Sequence, residues 1–305
     1  MLDFVEAYQW NLRPQHPPRP DWFREWPTGA RLAVPIMVLH EWESVPRHRS
    51  RPMPADAHHA FDFLALGARE YGARHGIWRL LHVLEGHSIK ATVITSGLVA
   101  ELFPESVQAA TERDHEIASH QWDQSVFPPS FKSRDEERAS LVKSLDALER
   151  VSGAKVAGYM SPGPRPTPYT MDICAELGII WTCDFNDSDV PYVVEVGDKK
   201  IVSVGYVLPG YTDADILPLG LEGALSQLKY AFDAIYKEAA KQPMKFCYAV
   251  HAHWGAAPGM ASVLDEFLTY AQSHAGVWFP RCIDIADFWL APPLRANQHG
   301  ITSKS

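Results

Sequence analysis

Apolar positions along this chain fall into two alternating rhythms. Leu32-Ala-Val-Pro-Ile-Met-Val-Leu39 is a continuous apolar run of strand length, which predicts a strand buried on both faces. Ile77, Leu80, Leu81 and Leu84 then recur at helical spacing, and Lys90-Ala-Thr-Val-Ile-Thr95 returns to strand character. A further short apolar strand precedes His120. Ser133 is placed to cap a helix with Asp135, Glu136 and Glu137 in its first turn. Its apolar face is Leu141, Leu145 and Leu148, and Gly153 marks its end. Residues 154–160 read as a strand, 170–177 as a helix closed by Gly178, and 179–183 as a strand. Leu221, Leu225, Leu228, Phe232 and Ile235 keep helical spacing, while residues 245–250 and 277–279 read as strands. Strands separated by helices predict the α/β class: a mainly parallel sheet with helices outside it, closed as a barrel or open and doubly wound.

Residues 1–30 break the rhythm. They are rich in proline, tryptophan and arginine, as in Arg13-Pro-Gln-His-Pro-Pro-Arg-Pro20, and predict an extended arm laid over the domain or over a neighbouring subunit. Residues 31–292 then form one domain, and 293–305 a C-terminal tail. The balance of 46% apolar and 21% charged residues is that of a soluble globular protein. A net charge of −9 leaves no basic face for nucleic acid or an anionic membrane. No apolar stretch approaches membrane-spanning length, and the acidic N-terminus lacks the halves of a signal peptide, so a cytoplasmic location is expected. Cys174, Cys183, Cys247 and Cys282 lie far apart without a C-x-x-C pair, which predicts buried free thiols.

In parallel α/β architectures, chemistry gathers where strands end at their carboxyl edge. Predicted strand ends here carry His40-Glu41-Trp42-Glu43, His120-Gln121-Trp122-Asp123-Gln124 and His251-Ala252-His253-Trp254. Side chains two apart in an extended segment share a face, so Glu41 with Glu43, or His251 with His253, would converge. A carboxylate and histidines from three strands make a general acid/base set or a metal site, and the tryptophans would wall a compact ring substrate. The competing reading, histidines hydrogen-bonded in a barrel mouth and tryptophans filling a core, suits any one cluster but not all three together. Gln124 stands four residues after His120, where a second imidazole would complete a metal-binding pair, and a neutral carboxamide is a poor ligand. His115 falls before its strand as a turn cap, and His48, His58 and His59 sit in a basic, solvated loop. Asp184, Asn186, Asp187 and Asp189 crowd a loop leaving the same edge, and Arg165 reads as an exposed loop arginine. There is no glycine-rich phosphate loop and no G-x-S-x-G nucleophile elbow.

At these residues the chain resembles the polysaccharide deacetylase superfamily, and within it the branch of bacterial allantoinases that work without a bound metal. The resemblance runs from about Trp26 to Trp289. It is carried by Tyr71-Gly-Ala-Arg-His-Gly-Ile-Trp-Arg-Leu-Leu81, Lys90-Ala-Thr-Val, His115-Glu-Ile-Ala-Ser-His120, Gly158-Tyr-Met-Ser-Pro-Gly163 and Gly276-Val-Trp-Phe279. It implies a distorted (β/α) barrel of about seven parallel strands. The catalytic aspartate of the metal-dependent deacetylases would fall at Leu39, their metal-binding aspartate at Glu41, and their metal histidines at His120 and Gln124. The arginine that steadies the catalytic aspartate maps to Met160, and the late histidine that protonates the leaving group to His251. Aspartate and arginine are thus absent together, which avoids an unpaired buried charge.

The combined reading predicts a hydrolase that opens a small cyclic amide, ureide or imide. Glu41 or His120 would activate water and His251, or less favourably His253, would protonate the departing nitrogen. Gln124 and Trp122 would hold the ring, with His40, Trp42, Asp187 and Trp254 lining the pocket. No cofactor is expected. In the alternative, a metal-dependent deacetylase or amidase of an N-acyl substrate, Glu41, His120 and Gln124 would hold zinc weakly. A barrel that only binds a ring ranks third. The resemblance and the arm also imply a homo-oligomer, and the pattern around Tyr206-Val-Leu-Pro-Gly-Tyr211 departs from the allantoinases.

Overall fold

The computed structural model describes residues 19–46 and 62–291. The first part of the chain gives β1 (Leu32–Ala33), β2 (Ile36–His40), α1 (Phe63–Tyr71), a π-helical turn (Gly72–Gly76), α2 (Ile77–Gly86), β3 (Thr92–Thr95), α3 (Gly97–Leu102), α4 (Pro104–Glu112) and β4 (Glu116–Ser119). The middle gives α5 (Arg134–Ser152), β5 (Gly158–Tyr159), α6 (Thr170–Glu176), β6 (Trp181–Thr182), β7 (Tyr192–Val196), β8 (Lys199–Ser203), β9 (Gly210–Thr212) and α7 (Asp213–Ile216). The last part gives α8 (Gly220–Glu238), β10 (Met244–Lys245), β11 (Cys247–His251), α9 (Pro258–Gln272), β12 (Val277–Trp278) and α10 (Cys282–Leu290).

A 9-stranded sheet runs in the order β7-β8-β6-β5-β4-β3-β2-β11-β9. All its pairings are parallel except the β7–β8 hairpin. A 3-stranded sheet, β10-β1-β12, continues it at the amino ends of β2 and β11. The sheet is curled, so alternate side chains enter two different cores. On β2, Ile36 and Val38 pack outward against the helices, while Met37 and Leu39 point inward. On β11, Tyr248 and Val250 go outward and Cys247 and Ala249 inward. A strand buried on both faces reads as an unbroken apolar run, which is why these two were legible in the sequence.

The amino end of the curled sheet is plugged. Phe23, Trp26, Ile285 and Trp289 fill it, and the Trp26 indole donates to Met244 O at 2.8 Å. Helix α10 is tied to the strands where Cys282 N donates to Thr92 Oγ1 at 2.8 Å and Ile283 N to Glu116 Oε2 at 3.0 Å. Of the arm expected over 1–30, residues 1–18 lie outside the described residues. Residues 19–30 belong to the body of the domain, because burying Phe23 and Trp26 removes large apolar surface from water. The expected tail at 293–305 and the loop histidines His48, His58 and His59 also lie outside the described residues.

Other differences have local causes. The strand expected over 154–160 pairs only at Gly158–Tyr159. Pro35 and Phe246 separate β1 from β2 and β10 from β11, so single apolar runs serve both sheets. All four cysteines are buried and free, as expected. Ser133 caps α5, its side chain accepting from Glu136 N, and Gly153 ends it at a left-handed φ of 67°. His115 is no surface turn cap, since it is buried and its Nδ1 accepts from Ala91 N at 2.9 Å. Among the described residues no helix is long and apolar enough to cross a membrane.

The π-helical turn joins α1 to α2 and presses on the loop after β11. A Cβ added at Gly72 would lie 3.0 Å from His253, and one at Gly76 would lie 1.9 Å from Ala252 O. Only glycine permits this approach. Gly76→Ala should therefore lower stability by about 1–3 kcal/mol, through displaced backbone. Gly67→Ala, which meets nothing within 4 Å, should be neutral or stabilise by up to about 1 kcal/mol. Urea unfolding midpoints of the two variants check the contrast.

Candidate active site

The carboxyl ends of β2, β4 and β11 deliver one acid and two imidazoles to the same point. Glu41, His120 and His251 are all buried there. Glu41 Oε1 faces His120 Nε2 at 3.3 Å, Gln124 Nε2 at 3.0 Å and His251 Nε2 at 3.7 Å. Its other oxygen, Oε2, accepts from Arg69 Nη1 at 2.9 Å. The cluster opens into a cavity of about 560 Å³, a volume suited to a small molecule. Leu39 and Met160 form its apolar floor, and Phe127, Arg165, Asn186 and Tyr206 stand among its other walls.

Each imidazole is oriented from behind. His120 Nδ1 donates to Met160 O at 2.8 Å, which in the neutral ring leaves the lone pair on Nε2. That Nε2 is buried and has no hydrogen-bond partner among the described residues. His251 Nδ1 donates to Asp213 Oδ1 at 2.5 Å, and Asp213 Oδ2 accepts from His251 N at 2.8 Å. The two rings therefore present Nε2 to the cavity, one backed by a carbonyl and the other by a carboxylate.

Their charges follow from these partners. Burial opposes the protonation of His251, but the charges of Asp213 and Glu41 outweigh it and raise its pKa. Burial likewise opposes ionisation of Glu41, but His251, His120 and Arg69 hold its carboxyl well below the usual range. Glu41 is thus an ionised side chain and a weak base. Beneath the site, burial pushes the Asp184 carboxyl up to about 7, although Ser161 N and Oγ both donate to its Oδ1.

The structure brings Glu41, His120, Gln124 and His251 together and sends the other expected residues elsewhere. His40 points behind the sheet to Ser106 Oγ at 2.8 Å, and burial lowers its pKa to about 4. Trp42 turns outward onto Phe103, with ring centroids 4.9 Å apart. Gln121 adopts a φ of 62°, which bends the chain after His120 and carries Trp122 outward under Lys143 Nζ. Asp187 accepts from the Tyr192 hydroxyl. His253 lies beside Arg69, and the Trp254 ring is tilted against it with centroids 4.2 Å apart, 5.0 Å from the His251 ring. The expected aromatic walls at Trp42 and Trp122 are therefore corrected, because residues past a strand end no longer keep the strand's two-residue period.

Arg69 and Asp213 were missed. Arg69 signals itself only as a charge at i+4 from Ala65 on the buried face of α1. Asp213 hides among the acids of a short capped helix, and its partner His251 lies 38 residues away. Arg165, read in the sequence as an exposed loop arginine, borders the cavity, as does Asn186 from the loop that leaves the same edge.

The deacetylase resemblance implies a metal at Glu41, His120 and Gln124. Among the described residues no group of three or more His, Cys, Asp or Glu side chains is arranged to hold one. The donors at that point are a carboxylate already bound to a guanidinium, one imidazole and one carboxamide. Catalytic zinc sites use three strong protein ligands, so this donor set does not fit the ion.

Residues 69–180 match the family profile described as polysaccharide deacetylase. A polysaccharide deacetylase-type protein of Schizosaccharomyces pombe is 26% identical over 255 residues, covering 73% of this chain and 75% of that one. A solved structure of the same type from Pseudomonas aeruginosa PAO1 superposes with a TM-score of 0.75 at 26% identity, covering 87% of this chain and 92% of that one. The crystal structure of PuuE allantoinase superposes equally well, with a TM-score of 0.75 over the same shares at 24% identity. Residues 69–180 are therefore similar to a polysaccharide deacetylase domain, and the chain has its curled parallel sheet in common with that Pseudomonas structure and with PuuE allantoinase.

Proposed function

We propose that this deacetylase-like hydrolase cleaves a non-peptide C–N bond in a small cyclic amide, ureide or imide. The observation that carries the reading is the pair of imidazole Nε2 atoms that face one cavity, one ring backed by a carbonyl and the other by a carboxylate. His120 Nε2 takes a proton from water as its oxygen attacks the carbonyl carbon. Glu41, 3.3 Å away, stabilises the positive charge that develops on that ring. His251, held protonated by Asp213 and Glu41, gives its Nε2 proton to the departing nitrogen as the C–N bond breaks. Glu41 itself is too weak a base to serve as the acceptor.

Two further observations support a compact nitrogen-rich ring. Gln124 Oε1 is buried and without a hydrogen-bond partner among the described residues, so it is an acceptor awaiting an N–H. A carbonyl in a ring ureide or imide is more activated than an acetamide, which suits a site whose donor set does not fit a Lewis-acidic metal. The PuuE allantoinase likeness agrees with such chemistry.

The direct test is an assay of the full chain against hydantoin, allantoin, dihydrouracil and succinimide beside N-acetylated chitin oligomers. Ring opening is expected, unchanged after dialysis against EDTA. Deacetylation of the sugars without any ring opening would overturn the proposal.

On the ring substrate so found, Glu41→Gln should reduce kcat by about 10²-fold or more, because the developing imidazolium loses its counter-charge. The pH profile gives a second check. Since the His251 pKa is raised, wild-type activity should fall as pH rises past that raised value. Asp213→Asn removes the largest of the raising charges, so the alkaline limb should move to lower pH. An unmoved limb would take His251 out of the acid role.

A further inference from the structure

Arg69 is a cation installed in the interior. It is 5% exposed and projects from the last turn of α1, donating to Glu41 Oε2 at 2.9 Å and to Glu43 Oε1 through its second nitrogen. Its Nη1 also stands 2.6 Å from His253 Nε2, and its Cζ lies 5.8 Å from the Trp254 ring centroid. The turn Gly72–Gly76, pressed onto His253 and Ala252, fixes the helix end at that depth. A planar guanidinium between two carboxylates, an imidazole and an indole is held on every side and cannot swing away.

Across the same carboxylate, Oε1 is surrounded by donor atoms. His120 Nε2 faces it at 3.3 Å and Gln124 donates to it through Nε2 at 3.0 Å, while Gln124 Oε1 is buried and unpartnered among the described residues. A carboxylate and an imidazole are two of the three ligands a catalytic metal needs, so a barrier beyond the missing third ligand must decide whether restoring it would admit one. Charge decides it. A divalent ion at Oε1 would sit one carboxylate away from a fixed positive charge, in a place that water cannot screen.

We propose that Arg69 is the resident cation of this site: it balances Glu41 and Glu43 from within the fold and thereby bars a divalent metal from the Glu41–His120 pair. On this view the carboxamide at Gln124 is only half of the barrier. Restoring an imidazole there does not by itself create a metal site. The inference holds whichever C–N bond the protein cleaves.

Cobalt(II), added as the metal alone to the full chain, is the probe, since its visible absorption reports bound ligands directly. The proteins compared are wild type, Gln124→His, R69K/Q124H and R69M/Q124H, with folding followed by circular dichroism. Wild type, Gln124→His and R69K/Q124H should bind cobalt weakly, because each retains the buried cation. R69M/Q124H should bind one cobalt per chain roughly 10–100-fold more tightly than Gln124→His, the size of effect that neighbouring groups exert on metal affinity. Should R69M/Q124H fold only when refolded with cobalt, the ion has replaced the guanidinium and the proposal stands. Tight stoichiometric binding by wild type, or equal affinities of Gln124→His and R69M/Q124H, would overturn it. So would an R69M/Q124H protein that takes up no cobalt, or that folds neither with it nor without it.

Discussion

An ionised carboxylate in a protein interior survives only if the fold brings counter-charges and donors to it, and Glu41 is that constraint here. Its two oxygens are met by groups from separate parts of the chain: Arg69 from α1, His120 and Gln124 from the end of β4 and the loop after it, and His251 from β11. Leaving any buried charge of this set without its partner would cost about 3–5 kcal/mol. The placement of α1, the bend after His120 and the register of β11 against β2 are therefore coupled through one side chain. The site is part of what holds this edge of the sheet together.

The sheet explains why these groups meet at all. Parallel strands send every carboxyl end to the same edge, so residues distant in sequence arrive as neighbours. The other end is filled by Phe23, Trp26 and Trp289, which leaves the cavity at the mouth. Leu39 and Met160 lie between the two regions, both 1% exposed. An aspartate and an arginine would need each other at those two positions, whereas a leucine and a methionine need only apolar neighbours. The apolar floor they make keeps water from beneath Glu41 and strengthens each charge interaction above it.

What was legible in the sequence was whatever leaves a local period. Strands β2 and β11 show themselves as apolar runs because both faces are buried, and α5 through its cap, its leucine face and its closing glycine. The stretches 154–160 and 179–183 also read as strands, but β5 and β6 pair over two residues each within them, so their bounds leave no pattern. Three catalytic candidates could be named because each directly follows or ends a strand and so lies at the sheet's edge. Their partners could not. Arg69 lies 28 residues from Glu41, and Asp213 38 from His251, and neither neighbourhood contains a sign of the other. The tryptophans misled for the converse reason. Adjacency in sequence to a catalytic histidine does not survive the turn at a strand end, and Trp42 and Trp122 leave on the outer side.

The two imidazoles have different surroundings, and the proposed division between acid and base rests on that difference. Both turn Nε2 to the cavity and both have Glu41 within reach, so the ring alone does not distinguish them. The atom behind Nδ1 does. A backbone carbonyl behind His120 can only accept the Nδ1 proton, which fixes the tautomer without adding charge. A buried carboxylate behind His251 adds a full negative charge to the one already contributed by Glu41. Two carboxylates around one ring favour imidazolium, and Arg69 offsets only part of that. In the proposed reaction, the position of Asp213 sets the direction in which protons would move across the cavity, from water to His120 and from His251 to the leaving nitrogen.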